Sequence, residues 1–362
     1  MHVDLDYFYA QCEEKNDSTL RVRPVVVCVY SGRTEESGVV STANYLARKY
    51  GVRAGVPIVR AKKLLESTSA AFLPMNRPLY EQVSDRIMEL LRTYGDSFEK
   101  GGIDEAYVDL SNKTEGNYTA AEEIAQEFKG ALLTREEMTC SVGVAPNKLI
   151  AKIASDERKP NGITVVKPED VGSFLAEMPA SRIPGVGKKA EEKLRAMHVE
   201  TVAQLSALSP TVLIEAFGKS WGSYLYQAAR GQDDDPVAER EQPTQFSRIA
   251  TLKQNTRQLS EMIPTLTDLS NSVASKMKEK GMMCRSVAII AILTDLSIHS
   301  RSKTLEQPTS DGKIIENSVQ SLMKEFLESI PAATLRRTGV RVSELSSAVG
   351  QTDISKFLSP NL

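Results

Sequence analysis

An α+β fold is what the sequence predicts, on three observations. The first half mixes short β-rich runs with amphipathic helical stretches in no regular alternation, which calls for an antiparallel sheet with helices packed on it. From Pro179 to Arg230 the texture changes to short helices punctuated by glycine. The last third, from Phe246 to Leu345, reads strand, helix, strand, strand, helix, strand, which is the split βαβ order.

Taken in order, His2 to Tyr9 alternates and is rich in β-formers, so it reads as a strand with a helix following from Ala10. The apolar run Arg23 to Tyr30 is a buried strand, and Val39 to Thr42 is a further one leading into a helix Ala43 to Tyr50 that stops at Gly51. Leu79, Val83, Ile87, Leu90 and Leu91 are spaced as one helix face within Pro78 to Tyr94. Phe98 to Gly101, the Gly101-Gly102 turn and Ile103 to Leu110 make a β-hairpin. A helix at Ala120 to Leu133, a strand at Thr139 to Val144 and a helix at Lys148 to Asp156 follow. Residues 231–243 (GQDDDPVAEREQP) are polar, charged and Pro-bearing, the composition of a linker. Beyond them come a strand (Phe246–Leu252), a helix (Leu259–Glu279), two strands (Ser286–Thr294 and Ser297–Leu305), a helix (Gly312–Glu328) and a strand (Thr334–Leu345). The tail after Gly350 is expected to be disordered.

The 362-residue chain is long enough for several domains, and its 41% hydrophobic and 25% charged residues are those of a globular protein. No apolar run approaches the roughly 20 residues of a membrane span, and the acidic N-terminus is no signal peptide, so a cytoplasmic protein is expected. Cys12, Cys28, Cys140 and Cys284 lie far apart with no CxxC pair and no nearby His cluster, which argues against a zinc site or a disulfide framework and for reduced thiols. The net charge of −2 is uneven: from Pro243 to Leu345 there are 14 Lys plus Arg against 10 Asp plus Glu, a net of +4. A basic last module beside an acidic body suits phosphate binding at one end and carboxylate chemistry at the other.

Two clusters carry the chemistry. On a strand, Asp4 and Asp6 fall on one face, with Leu5 and Tyr7 on the other. Carboxylates on an apolar strand are costly unless paired or metal-bound. Asp104 and Glu105 are adjacent and can converge on one ion only beside a turn, which Gly101-Gly102 supplies. Three carboxylates from two strands can hold two Mg²⁺ ions about 3.5–4 Å apart for phosphoryl transfer.

The strings DLDYFYAQCEE, VYSGRTEESGVVSTANYLARKYGVRAGVPI, IDEAYVDL, SVGVAPNKLIAKIASDERKPNGI and IPGVGKKAEEKL occur in the order and spacing of the Y-family DNA polymerases. The chain resembles the archaeal polymerase IV-like members of that family over essentially its whole length. The resemblance implies a right-hand polymerase. Its parts would be a ferredoxin-like palm (1–8 and 75–165), small fingers (9–74), a helical thumb with a helix-hairpin-helix (166–230), a linker (231–242), a split βαβ little finger (243–346) and a tail (347–362). It implies template-directed, low-fidelity synthesis past damaged bases, without proofreading. Asp4 and Asp104 match the metal-binding aspartates, Glu105 the third catalytic carboxylate, and the Leu5 carbonyl a further ligand, for two Mg²⁺ ions with Mn²⁺ as the alternative. Tyr7, Phe8, Tyr9, Tyr45, Arg48 and Lys159 match positions around the incoming dNTP, with Tyr9 as the steric gate beneath the sugar. Gly185, Gly187 and Lys188 match the thumb hairpin that holds DNA, where backbone N–H groups approach a phosphate. Arg336, Arg337 and Arg341 are expected on DNA through the little finger. Gln351, Ile354, Phe357 and Leu358 resemble the box that anchors such enzymes to a PCNA-type sliding clamp, with Leu358 in place of the second aromatic. Primer-template DNA, dNTPs and the clamp are the implied partners of a monomer. Two other classes remain open from the residues alone: a nucleotidyl cyclase with a palm-like sheet, and a catalytically silent DNA- or clamp-binding scaffold.

Two departures from the family stand out. Only three residues precede Asp4, so the edge of the active-site sheet is expected to be thin. Gly102 stands where the family commonly has Ser, which is expected to loosen the turn without deleting a ligand.

Overall fold

The structure is a computed structural model that describes residues 1–239 and 243–347. Its elements begin with β1 (His2–Leu5), α1 (Phe8–Asn16), β2 (Val25–Tyr30), β3 (Gly38–Ala43), α2 (Tyr45–Arg48), α3 (Ile58–Leu64), β4 (Ala71–Pro74) and α4 (Arg77–Arg92). Then come β5 (Ser97–Lys100), β6 (Glu105–Asp109), α5 (Tyr118–Glu136), β7 (Cys140–Val144), α6 (Lys148–Glu157) and β8 (Ile163–Val165). The short helices α7 (Val171–Ala176), α8 (Lys188–Ala196), α9 (Val202–Ser206), α10 (Pro210–Phe217) and α11 (Lys219–Ala228) follow. The C-terminal set is β9 (Gln245–Thr256), α12 (Leu259–Glu279), β10 (Met282–Leu293), β11 (Ile298–Thr309), α13 (Gly312–Ser329) and β12 (Leu335–Ser347). Two compact units result: one from Met1–Val29, Val40–Val56 and the described residues of Arg60–Arg240, the other from Tyr30–Val39, Pro57–Val59 and the described residues of Glu241–Leu362.

In the first unit a five-stranded sheet has the order β5-β6-β1-β7-β8. β1 is therefore the central strand, antiparallel to both β6 and β7, and the expectation of a thin edge there is corrected. The core beneath it comes from the apolar faces of α4 and α5, with Tyr80, Ile87, Leu91, Phe128 and Leu132 fully buried against Leu5 and Val108. Helix α6 lies close on β7 because Gly143 leaves room: a Cβ there would meet the Ala151 carbonyl at 2.0 Å. Asn147 caps α6 by accepting from the Ile150 N–H at 3.0 Å.

The sequence reading is corrected at two places in this unit, and a third segment shows contacts that it did not foresee. The first strand ends at Leu5, because Tyr7 takes a left-handed conformation (φ 36°) as the N-cap of α1, so Tyr9 sits in the first turn of a helix. The elements α3, β4 and β8 were not foreseen, being short and without a clear period. Residues 231–239 are held down on the first unit, whatever their linker-like composition. The Asn147 amide donates to the Gly231 carbonyl at 2.7 Å, and Asp233 accepts from the Leu149 N–H at 2.9 Å. Lys148, paired with Glu99 at 2.8 Å, also reaches the Pro236 carbonyl, and Arg92 grips Glu239 through both terminal nitrogens at 2.8 and 2.9 Å. These are side-chain contacts at long separation, which composition does not display. A cavity of about 300 Å³ lined by Asn117, Tyr118, Lys148, Asp233 and Pro236 lies under this segment; neither Asp4 nor Asp104 nor Glu105 lines it.

The second unit contains a four-stranded sheet ordered β11-β10-β12-β9. All neighbours are antiparallel, so β9 and β10, joined through α12, are separated by β12, which is the predicted split βαβ topology. Leu266, Val273, Val319 and Phe326 of the two long helices bury one sheet face with Val287, Ile289, Val340 and Val342. Among the described residues no helix is long and apolar enough to cross a membrane.

Candidate active site

Asp4 lies opposite Glu105 across the β1–β6 pair, and opposite Ser141 of β7. Because paired residues share a face, His2, Asp4, Glu105 and Tyr107 stand on one side of the sheet. Asp104 precedes the strand in the turn. Both Gly101 and Gly102 donate their N–H to the Glu105 carbonyl at 3.0 Å, and the Asp104 carbonyl accepts from Leu5 N–H at 2.8 Å. A Cβ on Gly102 would sit 3.2 Å from Glu105 Cγ and 3.4 Å from Asp104 Oδ1, so this glycine lets both acids crowd the turn.

Two lysines meet the acids. Lys159 Nζ is 2.8 Å from Asp4 Oδ1 and 2.7 Å from Asp156, while Lys152 of α6 contacts Glu105 Oε2. Burial pushes the Asp4 carboxyl up to about 6 against the pull of Lys159, and burial likewise raises Asp104. Glu105 is held down at about 2, first by His2 and, against its own burial, by Lys152. Burial works against the charge of Lys159, but Asp4 and Asp156 outweigh it and raise it.

Desolvated carboxylates held by ammonium groups are a donor set that suits a hard divalent cation, the lysines supplying the positive charge in its place. The assembly is not closed around an ion: among the described residues no group of three His, Cys, Asp or Glu side chains converges in ligating geometry. Asp4, Asp104 and Glu105 are thus brought to one corner of the sheet without forming a cage.

Asp6 shares the sheet face of Asp4, since it bonds to Ser141, the residue opposite Asp4 on β7, but its carboxylate is fully engaged away from the other acids. It is buried to 1% exposure and accepts from Thr139 Oγ1 at 2.8 Å, Ser141 Oγ at 2.7 Å and Asn161 N–H at 2.8 Å. It thereby ties the Lys159 loop to β1. Asp6→Ala would strand three donors, and we expect a loss of about 3–5 kcal/mol in chemical denaturation. A loss under 1 kcal/mol would show that the anchor contributes nothing.

Tyr9 is half-buried and stacks on fully buried Tyr80, with centroids 4.5 Å apart and planes at 15°. Burial first, and Asp104 second, raise its hydroxyl pKa. Phe8 departs from expectation: at 2% exposure its ring is core, leaving only its backbone for a ligand. Tyr7 donates to Glu14 at 3.3 Å and meets Tyr45 edge-on at 5.4 Å. Arg48 folds over the Tyr45 ring at 4.7 Å and donates to the Ala43 carbonyl at 2.8 Å.

In the helical region Gly185 has φ 87°, and a Cβ there would lie 2.4 Å from Trp221. Trp221 stacks on Tyr224, whose hydroxyl donates to the Pro184 carbonyl at 2.8 Å, so the turn is braced from behind. Gly187 is the N-cap of α8, and Gly185, Gly187 and Lys188 are exposed. In the second unit Arg337 and Arg341 pair with Ile292 and Ala288, which puts both on the sheet face away from the helices. That face also carries Ser247, Thr251, Ser300 and Ser302, and no acid at these positions. The Arg337 Nε is buried without a hydrogen-bond partner. Arg336 sits at a register shift and has no cross-strand partner in the β10–β12 pair. Gln351, Ile354, Phe357 and Leu358 lie outside the described residues.

Sequence reasoning missed His2, Lys152 and Ser155. Strand parity could have found His2, two residues before Asp4 on the same face.

Residues 3–156 match the impB/mucB/samB family, residues 181–233 a DNA polymerase-iota thumb domain, and residues 243–354 the impB/mucB/samB C-terminal domain. DNA polymerase IV of Nitrosopumilus maritimus is 43% identical over 98% of each chain. DNA polymerase IV of Methanosarcina acetivorans is 41% identical over 99% of this chain and 98% of that one. Among solved structures, a Y-family DNA polymerase chimera, Dbh-Dpo4(243-245)-Dbh, superposes with a TM-score of 0.88 at 37% identity, covering 95% of this chain and 98% of its own. An insertion ternary complex of Dbh DNA polymerase, also 37% identical, gives 0.67 over 94% and 97%. The chain belongs to the Y-family DNA polymerases, in their polymerase IV group. It is a DNA-directed DNA polymerase of the low-fidelity, lesion-bypass kind, and enzymes of this family depend on divalent metal ions.

Proposed function

We propose that this polymerase transfers nucleotides by a two-metal mechanism at Asp4, Asp104 and Glu105. The observation that carries the reading is the pairing of Asp4 with Glu105 across β1 and β6, with Asp104 in the adjoining turn. Asp4, Asp104, Glu105 and the Leu5 carbonyl would hold two Mg²⁺ ions, with Mn²⁺ as the alternative. When bound, such ions acidify the primer 3′-hydroxyl and neutralise charge on the phosphates. Lys159 then leaves Asp4 for the triphosphate, joined by Arg48 and the Tyr45 hydroxyl; Arg48 suits a phosphate because its guanidinium can bond two oxygens at once. Tyr9 excludes a 2′-hydroxyl, while Tyr7 and the Phe8 backbone complete the nucleotide pocket.

The palm comprises residues 1–8 and 75–165, the fingers 9–74, the thumb 166–230 and the little finger 243–346. Gly185, Gly187 and Lys188 hold the primer-template by its phosphates. Arg337 and Arg341, with Arg336 beside them, do so from the little finger, where their cross-strand neighbours on β9 are hydroxyl side chains that leave the arginines' charge for a polyanion. The tail anchors this cytoplasmic monomer to a PCNA-type clamp through Gln351, Ile354, Phe357 and Leu358. A primer-extension assay with Mg²⁺, a template and four dNTPs, run with and without clamp and tail, tests the whole. Extension is expected to stop on chelation, and clamp stimulation to vanish on deleting residues 351–362. Extension that survives chelation would overturn the metal reading, and stimulation without the tail would overturn the anchor.

A further inference from the structure

His2 is a histidine with no exposed surface, set beside the acids yet so far without a task. Its ring packs on Tyr107 with centroids 4.6 Å apart, and Nδ1 lies 2.8 Å from Ser155 Oγ. Nε2 faces Glu105 Oε2 at 3.6 Å, too far for a hydrogen bond, and is buried with no other partner. A polar atom so placed is costly unless something uses it.

The protons can be assigned from the partners. Ser155 has one hydroxyl proton and two acceptors in reach, the Lys152 carbonyl and His2 Nδ1, both at 2.8 Å. The carboxylate decides between them. If Nδ1 carried the ring proton, the bare lone pair of Nε2 would face a negative charge in a dry setting. With the Ser155 proton on Nδ1, a positive N–H faces the carboxylate. The order is then Ser155 Oγ–H to His2 Nδ1, and His2 Nε2–H toward Glu105 Oε2.

We propose that His2 is a positioning residue for the Glu105 carboxylate, with Ser155 fixing the ring's tautomer. The inference rests on Glu105 being a catalytic carboxylate, as read above. Oε2 is engaged by Lys152 and faced by His2, whereas no hydrogen bond among the described residues reaches Oε1, which is left for reaction chemistry. A carboxylate fixed at one oxygen presents the other in one direction, the usual service of residues behind a ligand. Gly143 makes the relay reachable, since a Cβ there would come within 2.6 Å of the Ser155 N and push α6 away.

His2→Phe keeps the ring on Tyr107 and removes the N–H. Single-turnover insertion should fall about 10- to 100-fold, with primer-template affinity unchanged and a higher divalent-ion concentration needed for half-maximal rate. His2→Gln, whose amide can donate, should recover part of the loss. Nitrogen NMR of the ion-free protein gives a readout independent of activity: the chain has three histidines, so the His2 ring is assigned by its disappearance in His2→Phe. It should appear neutral and protonated on Nε2 in the wild type, and shift toward Nδ1 protonation in Ser155→Ala. If His2→Phe folds poorly, Ser155→Ala and its spectrum decide. A wild-type rate in both variants, or a wild-type ring protonated on Nδ1, overturns the proposal. Glu105→Ala separates the two levels: if it is inactive while His2→Phe is normal, only the positioning role fails. If Glu105→Ala is itself normal, the catalytic reading fails and takes this inference with it.

Discussion

Asp104→Ala is expected to abolish primer extension while primer-template binding stays within a few-fold of wild type. The side chain contributes a charge and little structure. Its carbonyl, which accepts from the Leu5 N–H at 2.8 Å, is retained in alanine, and so are the two glycine N–H bonds to the Glu105 carbonyl. Burial already raises the Asp104 carboxyl, so its charge is held in the ion-free protein at a cost. Removing it should leave the melting temperature unchanged or raise it. The loss is confined to the reaction, where deleting one carboxylate of a two-metal site removes several kcal/mol of transition-state stabilisation, on the order of 10³-fold in rate or more. Quench-flow insertion and a melting curve on the same preparation check both halves. Near-normal insertion sinks the assignment, and a large drop in melting temperature would show that the turn depends on the side chain after all.

The acids were legible in the sequence because a Gly-Gly turn and two short strands leave few places for Asp4, Asp104 and Glu105. The helices α4, α5, α12 and α13 and the split βαβ order were legible for a similar reason: long amphipathic periods survive without tertiary context. What escaped is what depends on neighbours far along the chain. Asp6 shares the face of Asp4 as parity says, but parity does not show that its carboxylate is taken up by Thr139, Ser141 and Asn161. Phe8 sits in a motif of nucleotide-facing aromatics and is nonetheless core. The strap at residues 231–239 has the composition of a linker, and residues far upstream, among them Arg92, Glu99, Asn147 and Lys148, hold it in place. Lys152 is one lysine among many until α6 is laid on β7, which the missing side chain of Gly143 permits.

The largest change in specificity is expected from Tyr9→Ala, and the helical setting of Tyr9 sharpens the test. The ring is pinned on one face by Tyr80, itself fully buried, so it cannot swing away when a sugar arrives. A rigid ring discriminates by clash, which costs the wrong substrate and gives the right one nothing to lose. Truncation removes that clash and touches no proposed ligand, so dCTP insertion opposite template G should survive with modest loss. CTP insertion should rise by orders of magnitude, each 1.4 kcal/mol of relieved strain being worth about tenfold. The neighbours serve as controls. Phe8→Ala empties a core position and should cost about 3–5 kcal/mol of stability without admitting CTP. Tyr7→Ala loses its edge contact with Tyr45 and its bond to Glu14, and should likewise leave sugar choice intact. Single-nucleotide insertion of dCTP against CTP is measured for all three variants. If Tyr9→Ala excludes CTP as well as the wild type does, or if Phe8→Ala admits it better, the gate is not Tyr9, and sugar selection must come from elsewhere in the pocket.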